Sequence, residues 1–410
     1  MRRFLFCFFL LIPTIIYAND NRSHHKEGKP FSGVADYFRS VTTGDWSSVG
    51  TWESSPTGLA PWTAATLVPD FHANTITIQN GHTVTITTPQ DVDQVVIQNG
   101  GVLDFSLGTL TVEDGAGNDI DIQNGGVFVL SLASTPPNFV NVNATCNVAT
   151  GGTLRVSAAG LTFAAPAAGV NAINFVYNHQ SVLEYTLAGA FSTDNVTYFP
   201  NVNAVTIPIF RTTTSVVGAG ANNNTAFNGI FEANGAVTFI NTGTKTFRNG
   251  IRGTGNINGT ASGKFIINGA TAELGGSGSL TVPTTGGLEI GSPTTVTMSS
   301  NKTITGNVTL LTANSLVDLG VFNLTITGTV SITMVSSYIR TTSTGKLTLQ
   351  NVGSGGSGKL FPVGKSTINP LFISSSTTSD YTVRIVEPIT PPIYANLQAV
   401  LRTWYITSSV

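Results

Sequence analysis

Acidic residues gather at one place in the chain: Asp91, Asp93, Asp104, Glu113, Asp114, Asp119 and Asp121. Within this span the run Asp114-Gly-Ala-Gly-Asn-Asp-Ile-Asp-Ile follows the pattern of a calcium-binding glycine–aspartate turn. In such turns glycine lets backbone carbonyls and a carboxylate approach one ion. Asp114, Asp119 and Asp121 are therefore the metal candidates, with calcium the candidate ion, and no other cofactor is expected. The match has departures. Asp114 stands where the first glycine belongs, Ile120 and Ile122 bracket the large apolar position, and the motif occurs once. The competing reading is an ordinary solvated Gly-Asn-Asp turn.

The other chemistry open to such a chain is polysaccharide cleavage, which needs two positioned carboxyl groups or an acid group holding calcium beside a base. Between Ile122 and Leu319 the only acids are Glu184, Asp194, Glu232, Glu273, Glu289 and Asp318, widely scattered along the sequence. His72, His82 and His179 are far apart, and His24-His25 reads as a solvated pair. There is no GxSxG elbow and no GxxxxGK[ST] loop. No catalytic residue is nominated, and an enzyme is not expected. Thr-x-Thr pairs recur at Thr75/Thr77, Thr83/Thr85/Thr87, Thr109/Thr111, Thr295/Thr297, Thr303/Thr305 and Thr325/Thr327. Flat rows of threonine order water and can bind ice, although threonine is also simply the best uncharged residue for the solvent face of a strand.

Elements able to hold these residues are legible in a repeat. Gln79-Asn80-Gly81, Gln98-Asn99-Gly100 and Gln123-Asn124-Gly125 each follow a β-rich run, namely Ile76-Thr77-Ile78, Val95-Val96-Ile97 and Ile120-Asp121-Ile122. Asn and Gly tolerate positive φ, so strands ending in such turns suit the corners of a coiling β-solenoid. Thr75 to Thr87 alternates strictly, which puts Ile76, Ile78, Val84 and Ile86 inside and the threonines outside. The same texture runs from Ala236 to Ile332. The expected fold is all-β: a right-handed parallel β-helix or β-solenoid over 75–335, followed by the start of a β-sandwich-like module over 336–410. Irregular insertions are expected at about 136–224, where Pro136-Pro137 and an alanine-rich patch break the rhythm. Trp46, Trp52 and Trp62 precede the first rung and suit an aromatic N-terminal cap over 37–74, since an open solenoid end exposes core and strand edges. A platform for sugar rings is the alternative use of those rings.

The ends and the composition narrow the class. Arg2 and Arg3 followed by the apolar run Phe4 to Ile16 and by Ile16-Tyr17-Ala18 read as a signal peptide over 1–18. Residues 19–36 then read as a flexible leader. Loss of Arg2 and Arg3 leaves 17 basic against 21 acidic residues, a net charge of −4, which offers no electrostatic footprint for nucleic acid. Charged residues make up 10 % of the chain, far below the roughly 25 % of ordinary soluble proteins. Thr, Ser, Asn and Gly must therefore supply the hydrophilic surface. No later segment has the length of a membrane helix. Cys146, the one cysteine left after Cys7, makes no internal disulfide and is expected as a small buried residue.

The aromatic start Tyr37 to Trp52 with Gly44-Asp45-Trp46, the run Thr75-Ile-Thr-Ile-Gln-Asn-Gly-His-Thr-Val and then Gly100-Gly101-Val102-Leu103 together resemble a large group of exported Bacteroidota surface proteins, cargo of the type IX secretion route. Ser181-Val182-Leu183-Glu184-Tyr185 with Tyr198-Phe199-Pro200, and Tyr338-Ile339-Arg340 through Phe361-Pro362-Val363-Gly364, fit the same group. The opening rungs also look like the eight-glycine extracellular domain, which carries no transferable catalytic residue. The resemblance implies a long β-helical stalk or adhesin-like body at the cell surface. Members of the group generally finish with a sorting module that this sequence lacks before Val410, and Tyr405-Ile406-Thr407 reads as a strand just begun. The chain is accordingly expected to be the N-terminal part of a longer protein. The function expected is a secreted or cell-surface structural and adhesive role, with a polysaccharide or cell-surface ligand. Carbohydrate binding or degradation, and ice binding, are the alternatives.

Overall fold

Where Thr and a branched apolar residue alternate, a strand has one face that must leave water, and a coil of such strands closes those faces on one another. The computed structural model describes residues 32–131, 137–157, 174–186, 188–192, 208–219, 224–240, 242–260, 262–291, 295–353, 357–386 and 403–409. These residues form a β-solenoid of stacked parallel sheets, with one 3-10 helix at Val49–Thr51. None of their helices is long and apolar enough to cross a membrane.

Each turn of the coil sends a strand to a long sheet of fourteen strands, which runs from Gly44–Asp45 to Val363–Gly364. Ahead of that strand the early turns place one in a first sheet, as with Thr75–Ile78 before Thr83–Ile86. After it they place one in a three-stranded sheet of Gln90–Val92, Leu110–Val112 and Asn138–Phe139. In later turns a six-stranded sheet beginning at Thr225–Phe227 takes the first sheet's place in the chain order, and a ten-stranded sheet beginning at Gly189–Ser192 takes the place of the three-stranded one. Inward residues stack in columns. On the long sheet one such column reads Val84, Leu103, Phe128, Leu154, Leu183, Phe210, Phe231 and Ile251. Aromatic side chains fill the interior of the middle turns, where the ring centroids of Phe227 and Phe231 lie 4.7 Å apart and Phe227 stacks on Phe247 at 5.2 Å. Cys146 lies in this core.

The described residues bear on three of the expected boundaries. Within 136–224 the described strands belong to the stack: Cys146–Val148, Thr153–Val156, Phe175–Tyr177, Val182–Tyr185 and Ile209–Thr212 all pair in parallel register with their neighbours. The alanine-rich patch at 158–168 lies outside the described residues. At the far end the coil runs past 335, because Tyr338–Arg340 keeps Ile339 inward and pairs in parallel with Leu316–Asp318 and with Val363–Gly364. Antiparallel strands of the expected final module grow directly from the ten-stranded sheet, where Leu347–Val352 is followed by Ser379–Val386 and Thr403–Ser408. At the near end the signal segment 1–18 and residues 19–31 lie outside the described residues, but the end of the leader is held: Ser32 N donates to Thr66 Oγ1 at 2.8 Å and Ser32 Oγ pairs with Ser54 Oγ.

Before the first full turn, Tyr37–Ser40 pairs antiparallel with Trp52–Ser55 on one side and parallel with Thr75–Ile78 on the other. Trp46 and Trp52 are buried edge to face at 5.0 Å, and their ring N–H groups donate to the carbonyls of Pro69 and Trp46. Trp62 is only half-buried, with the Arg39 guanidinium 4.3 Å from its ring.

The Gln-Asn-Gly corners stack on one another through backbone bonds. Gly81 N donates to Gly100 O, Gly100 N to Gly125 O and Gly125 N to Gly151 O, each at 3.0 Å. All three turn glycines have positive φ, but their surroundings differ. A Cβ on Gly125 would strike Asn99 Oδ1 of the preceding turn, whereas one on Gly81 would meet open space. Gly125→Ala is therefore expected to lose about 1–3 kcal/mol of stability from left-handed strain and the lost corner contact. Gly81→Asn should stay near neutral, and chemical denaturation of the two variants checks the difference.

Candidate functional site

The structure does not bring Asp114, Asp119 and Asp121 to one point. Asp114 Oδ2 accepts from Asn141 Nδ2 at 2.9 Å, and Asp121 Oδ1 accepts from Asn147 Nδ2 at 2.6 Å on the outer face of the first sheet. Asp119 is fully buried at a corner, where its two oxygens accept from Gly115 N at 2.8 Å and Thr145 N at 2.6 Å. Among the described residues no group of three His, Cys, Asp or Glu side chains is arranged to hold a metal ion. Asp119 instead faces Asp93 of the preceding turn, and the missing side chain of Gly115 leaves the room that Asp93 Oδ2 occupies. Burial, the hydrogen bond to Asp119 and its nearby charge push the Asp93 carboxyl up to about 7. Its Oδ1 is buried with no partner. The histidines are engaged separately: His72 with Asp70, and His82 with Ser40 Oγ.

The carboxylates scattered in sequence do meet in space, though with cations and not with one another. On the outer face of the long sheet one column reads Arg155, Glu184, Arg211, Glu232 in direct register, and Arg252 follows opposite Glu232. Arg155 Nε donates to Glu184 Oε1 at 2.6 Å, Arg211 bonds Glu184 at 3.4 Å and Glu232 at 2.6 Å, and Arg252 bonds Glu232 at 2.8 Å and Glu273 at 3.3 Å. Burial raises the pKa of Glu232, but the hydrogen bonds and charges of Arg211 and Arg252 outweigh it and hold the carboxyl below the ordinary range. Each rung of this ladder has a local trace in the sequence, though not its pairing. A charged residue sits at the outward position of successive long-sheet strands, Leu154-Arg155-Val156, Leu183-Glu184-Tyr185, Phe210-Arg211-Thr212 and Phe231-Glu232-Ala233, with alternating sign and partners 20 to 29 residues apart.

Beside the ladder runs a second outward column that is apolar: Val182, Ile209 and Ile230. Val182 and Ile209 are buried yet stand outside the continuous core. They form the floor of a groove whose walls are the corner residues Asn124, Thr150 and Gln180 on one side and Arg211 and Arg252 on the other. Gln180 takes the corner position of the turn glycines, with φ +59°.

The ten-stranded sheet carries a different outer face. Thr303, Thr325, Thr348, Thr382 and Thr407 align in one column, with Thr348 and Thr382 hydroxyls 2.8 Å apart. A neighbouring column holds Thr238, Asn258, Thr281 and Thr305. Inside the same sheet the buried Lys302 ammonium donates to the carbonyls of Gly275 at 2.9 Å and Gly278 at 2.5 Å, and burial pushes its pKa down to about 8. No family model, no curated protein and no solved structure matches the chain.

Two outcomes follow from these contacts. Unfolded Asp93 titrates near the ordinary 3.8 and folded Asp93 near 7, so between those values the folded state alone keeps the proton. Stability should fall as pH rises from about 4 to about 7 and then level off; Asp93→Asn should flatten that slope, gaining about 1–2 kcal/mol at pH 8 and nothing at pH 4 in urea melts. Glu232→Gln should cost about 1–3 kcal/mol, because it leaves Arg211 and Arg252 with one carboxylate fewer in a half-buried ladder. Denaturation at low and high salt should show part of that loss already in the wild-type protein at high salt.

Proposed function

We propose that this chain is a secreted or surface-exposed structural and adhesive body that works without catalysis. The observation that carries this reading is the aligned outer face of the ten-stranded sheet, where threonines and an asparagine repeat turn after turn. Such a face offers many equivalent hydroxyl and amide groups at the fixed spacing of neighbouring strands, about 4.8 Å. Each contact with a polymer or cell surface is weak, and a rigid row of them binds by avidity. The signal-like N-terminus, the low charge and the resemblance of Tyr37–Trp52 and the following rungs to exported Bacteroidota surface proteins support the same role and an export route of the type IX kind.

A second reading has an observation of its own. The aligned column Thr303, Thr325, Thr348, Thr382 and Thr407, with Thr305 beside it, supports water ordering and ice binding as that reading.

The full chain displayed on beads should adhere to insoluble polysaccharides or to cells, and Thr303→Lys with Thr325→Lys should reduce retention severalfold with no change in melting temperature. Blank results on every surface would leave a spacer role alone. Thermal hysteresis in the wild-type chain that vanishes in the double variant would select the ice-binding reading, and its absence would remove it.

A further inference from the structure

Resting on the adhesive reading, we infer that the groove on the long sheet is a binding site for a neutral, linear polysaccharide laid along the stacking axis. The floor and walls draw on five consecutive long-sheet strands, from Thr153–Val156 to Gly250–Arg252. At the spacing of neighbouring strands that is roughly 20 Å, the length of about four sugar units. The floor is aliphatic: Val182, Ile209 and Ile230 face outward and belong to no core. A pyranose ring presents C–H groups on its faces and hydroxyls around its rim, so it can cover such a floor while its hydroxyls reach the walls. The walls supply what those hydroxyls need. Gln180 brings an amide, and Thr150, whose hydroxyl already donates to His179 O at 2.8 Å, keeps lone pairs to accept.

Charge and backbone chemistry select among polymers. Arg211 and Arg252 line the groove, but each is shared between two glutamates. A polyanion would have to displace partly buried carboxylates to reach them, and a polycation would meet the guanidinium side, so a neutral chain fits best. A peptide strand is disfavoured for another reason. The floor is the middle of a continuous parallel sheet whose backbone groups are taken by the strands on either side, so no free edge is offered for strand addition.

Isothermal titration of the full chain with tri- to hexasaccharides of β-glucan, mannan and chitin, set against oligogalacturonate, tests the site. Affinity is expected to rise with length up to about four units and then level off. Ile230→Lys should weaken binding by about tenfold, and Gln180→Gly, which keeps the positive φ while deleting the amide, by about threefold to tenfold. Val335→Lys, at an exposed turn that follows the last strand of the six-stranded sheet, Val330–Ile332, should leave this binding unchanged. Preference for oligogalacturonate would overturn the neutral class. Glycan binding or surface adhesion that both groove variants retain would overturn the groove while the adhesive reading stands. No adhesion and no glycan binding by the wild-type chain would bring down both. If Ile230→Lys fails to fold, Gln180→Gly alone decides.

Discussion

Parallel stacking puts every side chain against its equivalent one turn away, and most of what is particular to this molecule follows from that. A column of like residues is favourable when the residues are apolar, as with Leu103, Phe128, Leu154 and Leu183, or when they can bond in series, as with Thr303, Thr325 and Thr348. It is costly when they carry the same charge. Three answers to that cost are visible. Arginine and glutamate alternate along the long sheet. Asp93 and Asp119, adjacent acids in successive turns, are reconciled by a proton. Lys302 and Lys359, which find no carboxylate within bonding distance among the described residues, spend their donors on backbone carbonyls of the corners and of a neighbouring strand.

The low charge content has the same origin. With each outward position repeated many times, an unpaired charge would be multiplied along the whole stack, whereas threonine and asparagine repeat without penalty. Asparagine adds a second service: Asn256, Asn301, Asn307 and Asn323 each accept a backbone N–H from the following turn, which satisfies donors that a corner would otherwise strand.

The fold was legible because period-two alternation and the Gln-Asn-Gly corners are local signals. Ile76, Ile78, Val84 and Ile86 point inward for reasons contained in their own short strands. The rungs within 136–224 were harder to read because their turns are longer and their corners lack the tripeptide. Ala149-Thr150-Gly151 and His179-Gln180-Ser181 do the same work with other residues. The groove and the ladder were hidden for the opposite reason. Glu184 and Glu232 lie 48 positions apart in the chain, and only the registration of turns reveals that both flank Arg211. Contact between them depends on the number of residues in each turn, and no local pattern states that number. The different surroundings of Asp119 and Asp121 were likewise not legible: Asp119 precedes the strand Ile120–Ile122 and is buried at the corner, whereas Asp121 lies within the strand and faces out.

The alternating ladder also bears on how the coil finds its own register. A chain that skipped one turn while winding would lay Arg155 over Arg211, or Glu184 over Glu232, while the aliphatic and aromatic columns beneath would accept the slip with little complaint. Hydrophobic stacking alone cannot count. The charges can, and they act as a vernier scale that tells one loop of the coil from the next as the chain winds.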